Sequence, residues 1–421
     1  MNLYKSFSLY TIGSFVEKGI SFFLMPIFTF YLSTRDFGIL ALVTSVISFM
    51  VPIVGLGVSG AISVVYFNGD RKNYPSYFTS SILAPFCVSI ILTIFVYLFR
   101  EPITEYFEIP FYWILFVPLF CFFSFFNSML LIDFQIKDEP INYIVYSLGN
   151  TVLNFIISLG LVYFFKLGFE ARLIGQYFSV VFCFLVAFYL LRAKRKLIVR
   201  SISSVNITDS LSFGLPLVPH LIGGLVLNMA DRLFIDHFCG KELLGIYNLA
   251  YVLGSVISIF GSAFVNAITP FSFKLFAENT TDSLNKVVKM YWVFIVFMIL
   301  IFIGVYIFTP LIFKYFIDVK FVEATKYIIW ITLGYFFQGI YFLFVNVIFY
   351  LKKTKILLYF SLFNIILNLS LNYFLIPILG PIGAAYATCI SFFIFCFSIA
   401  IYSNSILPLP WLSIFSKKIM K

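Results

Sequence analysis

Hydrophobic residues run through this chain in long continuous blocks separated by short polar turns. Twelve blocks are of bilayer length, at about 9–32, 38–66, 78–99, 111–132, 141–165, 168–191, 211–238, 243–270, 290–313, 326–350, 355–378 and 382–406. Roughly 20 helical residues cross the hydrocarbon core of a membrane, so each block predicts one spanning helix. The blocks do not alternate apolar and polar positions, which argues against a β-barrel. The expected fold is an all-α polytopic membrane protein of twelve transmembrane helices. Its connections are short, the longest being a basic one near 192–210 and a mixed one near 271–289. Neither can fold as a domain outside the membrane. The first block, interrupted by Glu17 and Lys18, continues to about Leu32, too long for the apolar core of a cleavable signal. It is expected to stay as a span.

The pattern repeats. SLGNTVLN at 147–154 matches SLFNIILN at 361–368, with five identities in eight at an offset of 214. More weakly, RDFGILAL at 35–42 resembles KELLGIYNL at 241–249. This predicts two pseudo-symmetric six-helix lobes, 1–200 and 201–421, joined by the basic loop. An even number of spans per lobe leaves both copies in the same orientation, and two parallel lobes around a central cleft is a transporter architecture.

The seventh block departs from a plain anchor. Pro216 and Pro219 break it near its start, Gly223 and Gly224 loosen it, and Asp231 and Arg232 follow side by side. A charge facing lipid at the centre of a helix costs roughly 2.5–3.5 kcal/mol on insertion scales, and irregular backbone is tolerated where protein or a water-filled cavity satisfies it. Glu17 and Lys18 raise the same question in the first block. Helical neighbours point about 100° apart, so neither adjacent pair is expected to neutralise itself face to face. Pairing of Glu17 with Arg232 is disfavoured, because their depths differ by roughly 20 Å along the membrane normal. Lys18 and Arg232 are therefore expected to attract an anionic substrate group at two depths of one pathway. The plainer alternative is that these charges snorkel to an interface or bridge helices.

Asparagines recur at helical spacing: Asn150 and Asn154 in the fifth block, then Asn364, Asn368 and Asn372 in the eleventh. They suit either sugar hydroxyls in a cavity or interhelical hydrogen bonds worth about 0.6 kcal/mol each. His220 and Asn228 join them as candidate cleft-lining polar residues. Gly13, Gly19 and Pro26 in the first block, and Pro52, Gly55, Gly57 and Gly60 in the second, read either as hinges or as close-packing positions.

Composition agrees with the pattern. Of 421 residues, 62% are hydrophobic and 11% charged, with a mean hydropathy of +1.04; a soluble domain needs more charge than this to cover its surface. The formal charge of +10 follows from topology rather than from a nucleic-acid partner. With a cytoplasmic N-terminus, 18 Lys and Arg fall in inner segments, five of them (Arg192, Lys194, Arg195, Lys196 and Arg200) in the central loop, against 8 in outer segments. That is a positive-inside distribution with both termini cytoplasmic. Six scattered cysteines without a CxxC pair read as small buried hydrophobes, and His220 and His237 alone give no metal-site spacing. No phosphate-cradling loop or nucleophile elbow is present, so neither an enzyme nor a cofactor is expected.

Three segments, PIFTFYLSTRDFGILAL at 26–42, GLPLVP…NMADRLFIDHFCGKELLGIYNLAYVLG at 214–254 and NIILNLSLNYFLIPILGPIGAAYATCIS at 364–391, resemble Wzx-type flippases of O-antigen and capsule repeat units. These belong to the multidrug/oligosaccharidyl-lipid/polysaccharide exporter superfamily. The resemblance implies two six-helix lobes forming a V around a cationic cleft. It implies movement of undecaprenyl-pyrophosphate-linked oligosaccharide to the outer leaflet of the bacterial inner membrane. On that footing Lys18 and Arg232 hold the pyrophosphate, Glu17 or Asp231 carries a coupling proton or cation, and the partners are the lipid-linked oligosaccharide, membrane lipids and polysaccharide polymerase or other assembly proteins. The related lipid II flippases typically carry two further spans, which are missing here. A cation-coupled multidrug exporter of the same superfamily and a membrane-embedded glycan polymerase or ligase remain the alternatives.

Overall fold

The computed structural model describes residues 3–68, 73–278, 280–351, 353 and 355–411, which are helical almost throughout and contain no strand. Eleven helical stretches among them are long and apolar enough to cross a membrane, each falling on one of the expected blocks. The remaining block, the first, is a 29-residue helix, α1 (Leu3–Tyr31). The molecule is thus an all-α polytopic membrane protein.

Contacts divide the chain into two compact units, Met1–Arg232 and Leu233–Lys421. In the first, α1 is followed by α2 (Thr34–Gly55), α3 (Val58–Asn68), α4 (Tyr74–Leu98), two short helices, α5 (Arg100–Phe107) and α6 (Phe111–Leu115), then α7 (Val117–Ile136), α8 (Pro140–Phe165), α9 (Phe169–Tyr189) and α10 (Ser204–Gly214). Helix α7 lies at its centre, packed against α2, α4, α8 and α9. Its Phe120, Phe122, Phe125 and Phe126 join Phe78 and Tyr177 in the core, and Tyr177 donates its hydroxyl to the Trp113 carbonyl at 3.0 Å. Large rigid aromatics fill this space at low side-chain entropy cost. Helix α10, beyond the expected junction at 200/201, packs on α3 and α4.

The boundary between the units falls inside α11 (Val218–Cys239). The second unit continues with α12 (Lys241–Gly254), α13 (Val256–Glu278), α14 (Thr281–Phe316), α15 (Thr325–Tyr350), α16 (Lys355–Leu379) and α17 (Pro381–Ile406). Here α15 takes the central place, against α12, α13, α14 and α17. Tyr247, Tyr251, Tyr327 and Tyr335 interlock around it, and Tyr335 donates to the Tyr251 hydroxyl.

The repeat seen in the sequence is a structural one. The hairpins α8–α9 and α16–α17 are both closely packed pairs. Their turns contain the positive-φ residues Lys166 (φ 52°) and Gly380 (φ 71°), which are again 214 positions apart.

Three boundaries differ from expectation. The second block is two helices, because Leu56 (φ 51°) and Gly57 (φ 67°) adopt left-handed backbone and end α2 with the Leu56 amide on the Pro52 carbonyl. The seventh begins earlier, at Ser204, and is interrupted by a tight turn at Leu215–Leu217 around Pro216; this is the expected proline break. Helix α14 starts at Thr281 under a capping box, in which Thr280 accepts from the Ser283 amide and Ser283 accepts from that of Thr280. With 36 residues it is about 54 Å long, so it outruns the hydrocarbon core and extends beyond it.

Candidate functional site

In the first unit the polar groups of the spans collect along one stripe of α8. Ser147 and Thr151 donate to the two Glu17 carboxylate oxygens on α1, at 2.7 and 3.4 Å. Two turns further on, Asn154 Oδ1 accepts from Ser158 Oγ at 3.2 Å and from Arg172 Nη1, on α9, at 3.3 Å. Arg172 also reaches Ser158 Oγ at 3.3 Å, and its guanidinium carbon lies 4.7 Å from the ring centres of both Phe28 and Phe155. Spacings of three and four residues put 147, 151, 154 and 158 on one helical face. Their hydroxyls and amide supply the partners that buried charges require. The stripe therefore has a carboxylate at one end and a guanidinium at the other. Arg172 has no carboxylate partner among the described residues; neutral oxygens and two aromatic faces hold it. Close packing shapes this place: a Cβ on Gly175 would sit 2.1 Å from Ser158 Oγ.

Asp231 and Arg232 are buried at 4% and 6% exposure. Asp231 Oδ1 folds back to accept the Arg232 amide at 2.9 Å, leaving Arg232 Nη1 3.9 Å from the same oxygen and 2.9 Å from the Asn228 carbonyl. Neighbouring side chains thus do come within ion-pair range, contrary to the helical-wheel expectation, because both curl along the helix instead of projecting radially. Asn228 donates to the Gly224 carbonyl at 2.8 Å. The side chains of Lys18 and His220 lie outside the described residues.

In the second unit, Asn368 on α16 donates to Ser391 Oγ on α17 at 3.0 Å. Asn372 donates to both the carbonyl and Oδ1 of Asn368, at 3.0 and 2.9 Å. Asn368 thus ties α16 to α17, whereas the Asn372 bonds stay within α16 and its own Oδ1 has no hydrogen-bond partner among the described residues. Asn364 is different: it is fully buried, yet neither its amide nitrogen nor its oxygen has a hydrogen-bond partner among the described residues. Its repeat counterpart, Asn150, has an unpartnered side-chain oxygen as well. A buried amide left unbonded costs about 1–3 kcal/mol, so both have hydrogen-bonding capacity to spare. Between α13 and α14 lies a cleft of about 530 Å³ whose lining includes Phe264, Ile268, Met290, Lys274, Lys289 and Glu278.

Sequence reasoning missed two features. Arg172 lies near the start of the sixth block, and only its neighbours in space reveal that it joins a polar stripe on α8. The pair Asp236–Lys241, 3.6 Å apart with both side chains less than a tenth exposed, brackets the Gly240 turn (φ 84°) and was hidden at the end of an apolar block. The six cysteines are all unpaired; four are buried as expected, but Cys87 is exposed and Cys239 only half-buried.

The family model for polysaccharide biosynthesis proteins matches residues 3–276. The chain belongs to that family. The MatE family model matches residues 216–374. An uncharacterized membrane protein of Haemophilus influenzae is 24% identical over 277 residues, 65% of this chain and 66% of the relative. The Lsg locus putative protein 1 of the same organism is 24% identical over 364 residues, 85% of this chain and 87% of the relative. Among solved structures, an inward-facing multidrug resistance MATE transporter of the MOP superfamily aligns with a TM-score of 0.76 at 14% identity, covering 93% of this chain and 94% of the other. The lipid II flippase MurJ in an inward closed conformation aligns at 0.73 and 18%, covering 98% and 93%. At these identities the likeness shows the fold, which is that of MOP-superfamily transporters.

Proposed function

We propose that this family member is a flippase that carries undecaprenyl-pyrophosphate-linked oligosaccharide repeat units from the cytoplasmic to the outer leaflet of a bacterial inner membrane, for surface polysaccharide synthesis. The match to the polysaccharide biosynthesis family over most of the chain carries this reading. The buried polar groups support it, because a head group of pyrophosphate and sugars needs cations and amides at membrane depth. Arg232 and Lys18 take the pyrophosphate, Glu17 and Asp231 serve coupling, and the unsatisfied amides of Asn150 and Asn364 meet sugar hydroxyls. Asn154, His220 and Asn228 complete the polar lining, while Asn368, bonded to Ser391, serves packing. The lobes 1–200 and 201–421 rock in alternating access around the head group while the lipid tail stays in the bilayer. Both termini are cytoplasmic, and polymerase and assembly proteins receive the product.

The test is the sidedness of lipid-linked oligosaccharide in spheroplasts of a deletion strain, read with an impermeant glycosidase. Intermediates trapped on the cytoplasmic face and released by re-expression support flipping. Unpolymerised glycans already on the outer face point to a polymerase instead. Unchanged glycans with new drug sensitivity point to multidrug export, the second reading favoured by the MatE match over 216–374.

A further inference from the structure

The linker between α9 and α10 sorts its five cations by direction. Arg195 turns inward, where its Nε lies 3.2 Å from Asp133 and its guanidinium binds Glu139. Arg192, Lys194, Lys196 and Arg200 are exposed and form no ion pair among the described residues, although they fall within nine residues. The segment that displays them is fixed. The chain tightens into a π-helical turn over Leu190–Lys194, and the Arg195 and Leu197 amides return to the Leu190 and Leu191 carbonyls, both at 2.9 Å. Leu191 and Leu197 are buried while Lys196 turns through φ 55°. The first turns of α4 then hold the rest: Thr79 Oγ1 donates to the Leu197 carbonyl at 2.9 Å and accepts from the Val199 amide at 3.0 Å, and Ser80 Oγ accepts from the Ser203 amide at 3.0 Å.

Position matters as much as charge. One membrane-length stretch ends at Lys194 and the next begins at Ser204, so residues 195–203 alone join them, pinned to the start of a third. That places the cations at headgroup level. Immediately beyond them, Ile202 and Val205 are 55% and 74% exposed, apolar groups suited to the layer just below. Like charges held together repel unless a counter-surface is present, and juxtamembrane basic clusters bind anionic lipid at a gain of about fivefold per cation.

We propose that Arg192, Lys194, Lys196 and Arg200 form a preorganised binding surface for anionic phospholipid headgroups. The site does not depend on what the protein transports. The purified full chain in detergent would be mixed with phosphatidylglycerol or phosphatidylcholine, and the lipid it retains counted by native mass spectrometry. In detergent the protein has no sidedness, so any effect of these cations on insertion orientation drops out. Native protein is expected to retain phosphatidylglycerol over phosphatidylcholine, and 1 M salt to abolish the preference, since screening then acts within about 3 Å. The variant Arg192→Gln/Lys194→Gln/Lys196→Gln/Arg200→Gln is expected to lose it at low salt, about fivefold per cation. Equal retention of both lipids, a preference insensitive to salt, or an unchanged preference in the fourfold variant would overturn the assignment.

Discussion

Individual residues separate structural from functional polarity, and asparagines do so most clearly. Asn368 bonds Ser391 across two helices and accepts from Asn372, so Asn368→Leu is expected to destabilise by about 1–3 kcal/mol through loss of the Ser391 bond and of one of the two acceptors of the Asn372 amide, which keeps the residue-368 carbonyl. Asn364 has no such bond to lose. If its amide exists for a transported head group, Asn364→Leu should leave thermal stability unchanged or raised while transport falls sharply. Paired measurements of melting temperature in detergent and of glycan export in cells check this. Preserved export would remove Asn364 from the site. Arg172 gives a second test. Two aromatic faces and a planar hydrogen-bonding fork suit guanidinium and not ammonium, and exposed-to-desolvated cation–π contacts are worth about 0.5–2 kcal/mol. Arg172→Lys should therefore lose stability of that order and not rescue it, although charge is kept. The spacing of asparagines was legible in the sequence because a period of four is a local property. Which of them lacks a partner was not, because that depends on α17, which sequence spacing does not locate in space.

Helices show where breaks are packing devices. A Cβ on Gly57 would lie 2.5 Å from the Gly214 carbonyl oxygen, and one on Gly214 2.2 Å from that of Leu56. The break between α2 and α3 thus sits directly against the end of α10. Gly57 also needs φ 67°, which costs an L-residue about 1–2 kcal/mol. Gly57→Ala should lose at least that much, whereas Gly149→Ala, in a helix with open space around it, should be neutral or stabilise by about 0.5–1 kcal/mol. Thermal unfolding of the purified variants distinguishes them. At the junction of α7, α8 and the linker, Asp133 takes Lys137 at 2.7 Å and Arg195 at 3.2 Å, and Arg195 also holds Glu139. That hydrogen bond from Arg195 is the main reason the Glu139 carboxyl titrates below the usual carboxylate range. A depressed carboxyl contributes stability above its unfolded pKa and loses it as pH falls through the folded value. Acidification should weaken this clamp, and Glu139→Gln should make melting less sensitive to acid. Long apolar blocks announce these helices and Pro216 announces the break at Leu215, but the break at Leu56 and the early start of α14 depend on turn geometry and capping that hydropathy does not register.

For the whole molecule, the repeat makes a topological prediction. The turns at Lys166 and Gly380 occupy the same register of two hairpins. Six membrane-length stretches separate them, from Phe169–Lys194 through Ile356–Leu379. An even number of crossings returns a chain to the side from which it started, so both turns face one side of the membrane. On the positive-inside count that side is expected to be the outer one. Lys166 and Leu379 are both exposed, which makes them usable reporters. In intact cells, Lys166→Cys and Leu379→Cys should both react with an impermeant maleimide in a background where the native cysteines are replaced. Arg200→Cys, one stretch away from Lys166, should react only after permeabilisation. Labelling of Lys166→Cys and Leu379→Cys from opposite sides would mean that one stretch does not cross, and the two copies would then be inverted. Labelling of Arg200→Cys in intact cells, with Lys166→Cys protected, would keep the parallel repeat but reverse the orientation, and with it the direction in which the proposed flippase moves its substrate.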